Sequence, residues 1–155
     1  MRGFGFAILE AAFFAAVVLP GAAQAQVLIA GMADGRDAVT PDAIRKIEQT
    51  VTMPGGAGKI ADYARYYAPG ELAGRKLIAG VYVRKTKLSE ARGTDGAKPV
   101  DGLDGVSLTS YGKLPRMPGG GCDMVTTYYD TGLQRFFMLQ EAGRDAAEAR
   151  CNPAR

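Results

Sequence analysis

The sequence predicts a two-layer α+β domain in which a short N-terminal helix packs on an antiparallel sheet of about four strands. Two observations carry this prediction. An apolar stripe with helical spacing follows Thr40, and later segments alternate apolar with polar residues or are rich in β-branched and aromatic residues. A chain of 155 residues is long enough for one domain with a single core.

Residues 1–25 predict a cleavable signal peptide. Arg2 gives a positive start, an apolar run covers residues 11–19, and small residues precede the predicted cleavage between Ala25 and Gln26. The apolar run has nine residues, whereas a membrane-spanning helix needs roughly 20. We therefore expect a periplasmic or secreted protein with no stable membrane anchor after cleavage.

The helix is the clearest local signal in the remaining chain. Thr40 is a good N-cap, and Pro41 suits the first helical position. Ile44, Ile47 and Val51 follow with the spacing of one helical face. We expect this face to pack on the sheet.

The first two strands are predicted to form a hairpin. Residues 59–68 fit a helical face and a strand about equally, and we choose a strand because the next segment is clearly β. In that segment, Arg75 to Arg84, one face carries Leu77, Ala79, Val81 and Val83, and the other carries Lys76, Ile78, Tyr82 and Arg84. Residues 69–74 would connect the two strands.

A second hairpin is predicted near the C-terminus. Its strands are Met124–Tyr129 and Leu133–Leu139, and Gly132 would supply the positive φ of a three-residue connection. Residues 144–150 are rich in alanine and predict one or two helical turns at the surface.

The domain organisation follows from these elements. Residues 26–39 form either a first strand or a loose arm, and residues 40–155 form a single domain. This domain contains a long loop, rich in glycine and proline, at residues 85–121, where only residues 106–109 fit a strand. A loop of this length is either functional or disordered.

Composition excludes several kinds of site. The chain has no histidine, so Ser-His-Asp and Cys-His nucleophiles and His-ligated metal sites cannot form. We predict no catalytic residue, no metal and no cofactor. The net charge of +3 is too small to indicate a nucleic-acid-binding surface.

Cys122 and Cys151 are the two cysteines, and an even pair in an exported chain predicts a disulfide.

Two motif matches fail on their context. Ser110-Tyr-Gly-Lys113 has the Ser-x-x-Lys spacing of penicillin-binding enzymes, but the prolines that follow exclude the helix on which those enzymes place it. Gly55-Gly-Ala-Gly-Lys59 lacks the first glycine and the final Ser or Thr of a phosphate-binding loop.

Asp62 and Asp123 each lie near a strand start, and they would form an acid–base pair only if they met.

The best functional lead is a set of tyrosines on the predicted strands, interleaved with arginines. Such residues can build a stacking platform for sugars or bases. Tyrosines on strands more often pack against each other across the sheet. The candidate binding residues are Tyr63, Arg65, Tyr67, Tyr82 and Tyr128.

Several segments resemble a set of short, uncharacterised exported proteins of alphaproteobacteria. The similar segments are Tyr63-Ala-Arg-Tyr-Tyr-Ala68, Gly80-Val-Tyr-Val83, Gly119-Gly-Gly-Cys122 leading into Val125-Thr126, and Arg150-Cys151-Asn152. The resemblance implies export, an envelope location and paired cysteines, and it implies no activity.

Two functional hypotheses follow. The first is an exported binding or interaction module for an envelope protein or a small ligand, which would use the tyrosine-bearing sheet face or residues 85–121. The second is a small ligand-pocket domain or carboxylate-dependent enzyme that resembles nuclear-transport-factor-2-like folds. The second would need a concave, largely apolar pocket that holds Asp62 or Asp123.

Overall fold

The structure is a computed structural model and describes residues 39–72, 74–136 and 149–151. The predicted signal peptide, its cleavage point between Ala25 and Gln26, and residues 26–38 of the predicted arm lie outside the described residues. No helix in the described ranges is long and apolar enough to cross a membrane.

Helix α1 (Pro41–Thr50) begins where the sequence predicts. The Thr40 hydroxyl accepts a hydrogen bond from the backbone N–H of Ala43 at 3.2 Å, which satisfies one of the free N–H groups at the helix start. Ile44 and Ile47 are fully buried. The predicted apolar stripe is therefore the face that packs on the sheet.

The sheet is mixed and larger than predicted. The strands are β1 (Tyr63–Leu72), β2 (Arg75–Arg84), β3 (Lys98–Pro99), β4 (Val106–Leu108), β5 (Met124–Asp130), β6 (Arg135–Phe136) and β7 (Ala149–Cys151). Six of these follow the order β3-β4-β1-β2-β5-β6, and β7 pairs with β5. Strands β1 and β4 are parallel, and the other neighbours are antiparallel. The fold is of the α+β class, whereas the prediction of about four strands, all antiparallel, is wrong.

Strand β1 differs from its predicted range. A 3₁₀ turn covers Ile60–Asp62, and β1 then runs through Pro69 to Leu72, so the predicted connection at residues 69–74 is wrong. Proline is tolerated at position 69 of the strand because the N–H that it lacks would point toward β4 and not toward β2. Residues 65 and 67 make the hydrogen bonds to that side, residue 69 has the same orientation, and pairing with β4 has ended there.

The second hairpin has a longer turn than predicted. Strand β5 extends to Asp130, and β6 begins at Arg135, so the turn has four residues. The positive φ of 52° belongs to Gln134 and not to Gly132. The Asp130 carboxylate accepts a hydrogen bond from the backbone N–H of Leu133 at 2.8 Å, which closes the turn.

The prediction of helical turns at residues 144–150 is wrong for its last two residues, 149 and 150, which belong to a strand. Residues 149–151 pair antiparallel with residues 125–127 of β5 and form strand β7, because ladder hydrogen bonds outweigh the helix preference of alanine. Residues 144–148 lie outside the described residues. The same is true of residues 137–139, the end of the predicted last strand.

Both faces of the sheet are covered. Helix α1 lies on one face, and the chain between β4 and β5 crosses the other, where Leu114 and Met117 pack in one cluster with Ala79 and Val81 of β2. The crossing is required because β4 pairs with β1 while β5 pairs with β2. Residues 85–121 contain short 3₁₀ turns and the predicted strand at β4. They also contain β3 (Lys98–Pro99), so the prediction that only residues 106–109 fit a strand is wrong.

Cys122 and Cys151 lie at disulfide distance, with their Cα atoms 4.4 Å apart, as predicted. The bond joins the residues just before β5 to the end of β7. It therefore fastens a strand of three residues to the centre of the fold.

Candidate functional site

Four of the five candidate binding residues lie inside the protein. Tyr63, Tyr67 and Tyr82 have no exposed surface, and Arg65 is 8% exposed. These four residues are core residues of the sheet face under α1, where a ligand in solvent cannot stack on them. Tyr128 is half-buried on the opposite face of the sheet and remains accessible.

A buried polar network holds α1 to the sheet. The Glu48 carboxylate accepts hydrogen bonds from Arg65 Nε at 2.6 Å and from the Tyr67 hydroxyl at 3.3 Å. The hydroxyl oxygens of Tyr67 and Tyr82 are 3.2 Å apart, and their rings meet edge to face. Burial raises the pKa of Tyr67 and of Tyr82, so both stay protonated. The network satisfies a buried ion pair and fixes the helix in place.

Asp123 pairs with Arg84, and Asp62 lies near the same guanidinium. Arg84 Nε donates to Asp123 Oδ1 at 2.6 Å, and the guanidinium lies over the ring of Tyr63 at 5.1 Å. The pKa of Arg84 is raised, first by its hydrogen bond to Asp123 and with a smaller contribution from Asp62. Asp123 is thus paired with a permanent cation that also lies near Asp62, which is not the arrangement of an acid and a base that exchange a proton.

The glycine-rich segment 55–59 packs against this cluster. A side chain at Gly58 would place its Cβ 2.6 Å from the Asp62 carboxylate, and one at Gly56 would lie 3.6 Å from Cys122 Sγ. Gly56 also has a φ of +84°, which favours glycine. The glycines here allow the chain to pass close to the disulfide and to the Asp62 carboxylate.

A cleft of about 560 Å³ lies at the opposite end of the sheet. It is lined by Gly74, Arg75, Lys76, Asp130, Thr131, Gly132 and Leu133. Seven residues of β5 separate this end from Asp123, a distance of about 23 Å along the strand. The cleft therefore does not hold either carboxylate that the enzyme hypothesis needs.

The buried carboxylate in this cleft is ionised. Arg75 Nε donates to Asp130 Oδ2 at 2.8 Å. Burial by itself would raise the pKa of Asp130, but hydrogen bonds from the Leu133 backbone and from Arg75 lower it below its usual value. Asp130 thus holds the turn and the start of β2 together and is a structural carboxylate.

A different pair of residues is exposed within residues 85–121. Arg92 and Arg116 form an isolated antiparallel bridge, in which each backbone N–H donates to the carbonyl oxygen of the other, at 3.0 and 2.9 Å. Directly opposed residues in such a bridge place their side chains side by side. Both side chains are exposed, and neither forms a salt bridge with a carboxylate of the described residues.

Two tyrosines adjoin this pair. The Tyr111 and Tyr128 side chains share a hydrogen bond, and both pack on the sheet face opposite α1. Burial raises the pKa of Tyr111 first, Tyr128 raises it further, and the charge of Arg116 lowers it. We refer to Arg92, Tyr111, Arg116 and Tyr128 as the arginine–tyrosine surface.

Three of these residues are absent from the sequence prediction. Arg92 and Arg116 are far apart in the chain and belong to no motif, so only the fold brings them together. Tyr111 occurs in the Ser110–Lys113 match, and that segment is a 3₁₀ turn in the structure, as the rejection of the match expects.

Compared with known proteins, the chain matches no family model, and no curated protein or solved structure is significantly similar to it. In the part of the chain that the structure describes, no three Cys, Asp or Glu side chains come together as a metal site would require.

Proposed function

We propose that this chain is an exported binding module of the bacterial cell envelope, and that it engages its ligand or partner through the arginine–tyrosine surface. The observation that carries the proposal is the pair of exposed arginines, Arg92 and Arg116, joined by a backbone bridge near two half-buried tyrosines. Arginine and tyrosine are enriched at binding surfaces because they combine a planar contact area with hydrogen-bond donors.

The location part of the proposal rests on the leader and the cysteines. Residues 1–25 have the three-part pattern of a secretory signal, and Cys122 lies at disulfide distance from Cys151. Disulfides persist in oxidising compartments and are rare in the cytosol. The resemblance to exported alphaproteobacterial proteins points in the same direction.

The fold gives this surface a rigid base. Arg92 and Arg116 are tied by two backbone hydrogen bonds, and Tyr128 lies in the middle of β5, opposite Ala79 of β2. A backbone held in this way needs no further ordering when the surface binds. The buried tyrosines Tyr63, Tyr67 and Tyr82 contribute indirectly, because they fill the core under the sheet.

The test is nuclear magnetic resonance of the isotope-labelled chain, purified from the envelope fraction, in the presence of an envelope extract. We expect amide shifts confined to the neighbourhood of residues 92, 111, 116 and 128, and we expect Arg92→Gln/Arg116→Gln to abolish them. Shifts confined to the cleft at residues 74–76 and 130–133, or no shifts at all, would contradict the proposed surface.

A further inference from the structure

The spacing of the two arginines selects the chemistry of the ligand. In a hydrogen-bonded antiparallel pair the Cα atoms are about 5.5 Å apart, so two guanidiniums on the same side can reach a single group. One guanidinium satisfies a planar carboxylate in a bidentate pair. A tetrahedral phosphate presents oxygens in more than one plane and can accept from both arginines.

The neighbouring tyrosines add aromatic contact area. Tyr111 and Tyr128 are both half-buried and pack on the sheet face opposite α1, so part of each side chain remains accessible to a ligand. The carboxylate of Glu90, close to Arg92 in sequence, is held by Lys87 at 2.7 Å and so does not compete for the guanidinium. The surface thus offers positive charge next to aromatic side chains.

We infer that the group bound between Arg92 and Arg116 is a phosphate ester, an inference that rests on the proposed binding function. The shared chemistry is the phosphate oxyanion, which a soluble phosphate ester or an anionic phospholipid headgroup can supply. Tyr111 and Tyr128 then contact the oxygens or the carbon skeleton next to the phosphate.

The experiment compares two probes. Glycerol 3-phosphate is titrated into the labelled chain, and vesicles of phosphatidylcholine with added phosphatidylglycerol are tested by co-sedimentation. Binding of glycerol 3-phosphate supports a soluble ester, and binding of the vesicles alone supports a lipid headgroup. We expect Arg92→Gln/Arg116→Gln to weaken binding by about tenfold or more, since a hydrogen bond to a charged group contributes roughly that factor.

Two further variants separate specific binding from general attraction. Lys76→Gln/Arg135→Gln removes the same charge from exposed side chains around the distant cleft, and we expect less than a twofold change. Arg92→Lys/Arg116→Lys keeps the charge without the planar fork and should bind with intermediate affinity. Urea unfolding of each variant checks that the fold is kept.

Three results would overturn the inference. These are equal weakening by the two Gln double variants, acetate binding as tightly as phosphate, and no binding of either phosphate probe. If the envelope extract still shifts residues 92, 111, 116 and 128 in the last case, the proposed function stands and only the ligand chemistry is wrong.

Discussion

The Cys122–Cys151 bond allows the most quantitative prediction about stability. The perturbation is the double substitution Cys122→Ser/Cys151→Ser, which removes the bond and leaves the hydrogen bond from the Tyr63 hydroxyl to the Cys122 carbonyl intact, because its acceptor is a backbone atom. The bond closes a loop with a sequence separation of 29. In the chain-entropy model a loop of this length stabilises the fold by about 3.6 kcal/mol at 25 °C.

The assay is equilibrium unfolding in urea. With an m-value of about 1–3 kcal/mol/M, we expect the midpoint of the double variant to fall by about 1–3.5 M. A reducing agent should lower the midpoint of the natural chain by a similar amount and should leave the variant unchanged. That second measurement is the control for the two new serines.

The local consequence is equally specific. Strand β7 has three residues and pairs with one side of β5, so its backbone hydrogen bonds depend on the crosslink that ends it. We expect faster hydrogen exchange in β7 when the bond is broken and little change in β1 and β2. An unchanged urea midpoint together with unchanged exchange would refute the structural role assigned to the bond.

Three further predictions concern single side chains. Gly80→Ala should destabilise the fold by about 1–3 kcal/mol, because the new Cβ would lie 3.0 Å from the Tyr67 ring. Gly112→Ala is the control and should have little effect, because the space around Gly112 is open. Equal urea midpoints for the two variants would contradict this prediction. Tyr129→Phe should be neutral or stabilise the fold by up to about 1 kcal/mol, since the buried Tyr129 hydroxyl has no hydrogen-bond partner among the described residues. A clearly lower urea midpoint for this variant would be evidence that the hydroxyl has a partner. Folding lowers the pKa of Asp130 below its ordinary value of 3.8. The ionised carboxylate therefore contributes its full stabilisation of the fold above that pH, and this stabilisation is lost as the pH falls through the folded pKa. The difference in unfolding free energy between the natural chain and Asp130→Asn should narrow on acidification, and a constant difference would exclude the ionised carboxylate.

The local elements of the fold could be predicted because short-range physics decides them. Thr40 and the Ile44–Ile47 spacing specify the start and the buried face of α1. The alternation in Arg75 to Arg84 specifies β2, whose range the structure reproduces. The disulfide could be predicted from the two cysteines with only the assumption of an oxidising compartment.

The long-range arrangement could not be predicted from these patterns. The parallel pairing of β4 with β1 depends on where the intervening chain crosses, and no local pattern records that path. Helix α1 covers the sheet face that carries Tyr63, Tyr67 and Tyr82, so these tyrosines lie in the core, where Glu48 and neighbouring hydroxyls hydrogen-bond within the cluster. A stacking platform at Tyr63, Tyr67 and Tyr82 looks the same in sequence as this buried cluster.

The candidate site shows the same limit. Tyr128 could be selected from the sequence because it lies on a β-rich segment. Arg92 and Arg116 could not, because their pairing requires two loop segments to meet in a single bridge. Their chemistry becomes visible only when the fold has placed them next to Tyr111 and Tyr128.

The proposed export and the Cys122–Cys151 crosslink underlie both the proposed function and the predicted stability of the domain. The most direct measurement is the intact mass of the chain recovered from the envelope fraction, before and after reduction. We predict a chain that begins at Gln26 and gains two hydrogen atoms when Cys122 and Cys151 are reduced. A chain that retains Met1 and shows the same mass with and without reductant would contradict the account.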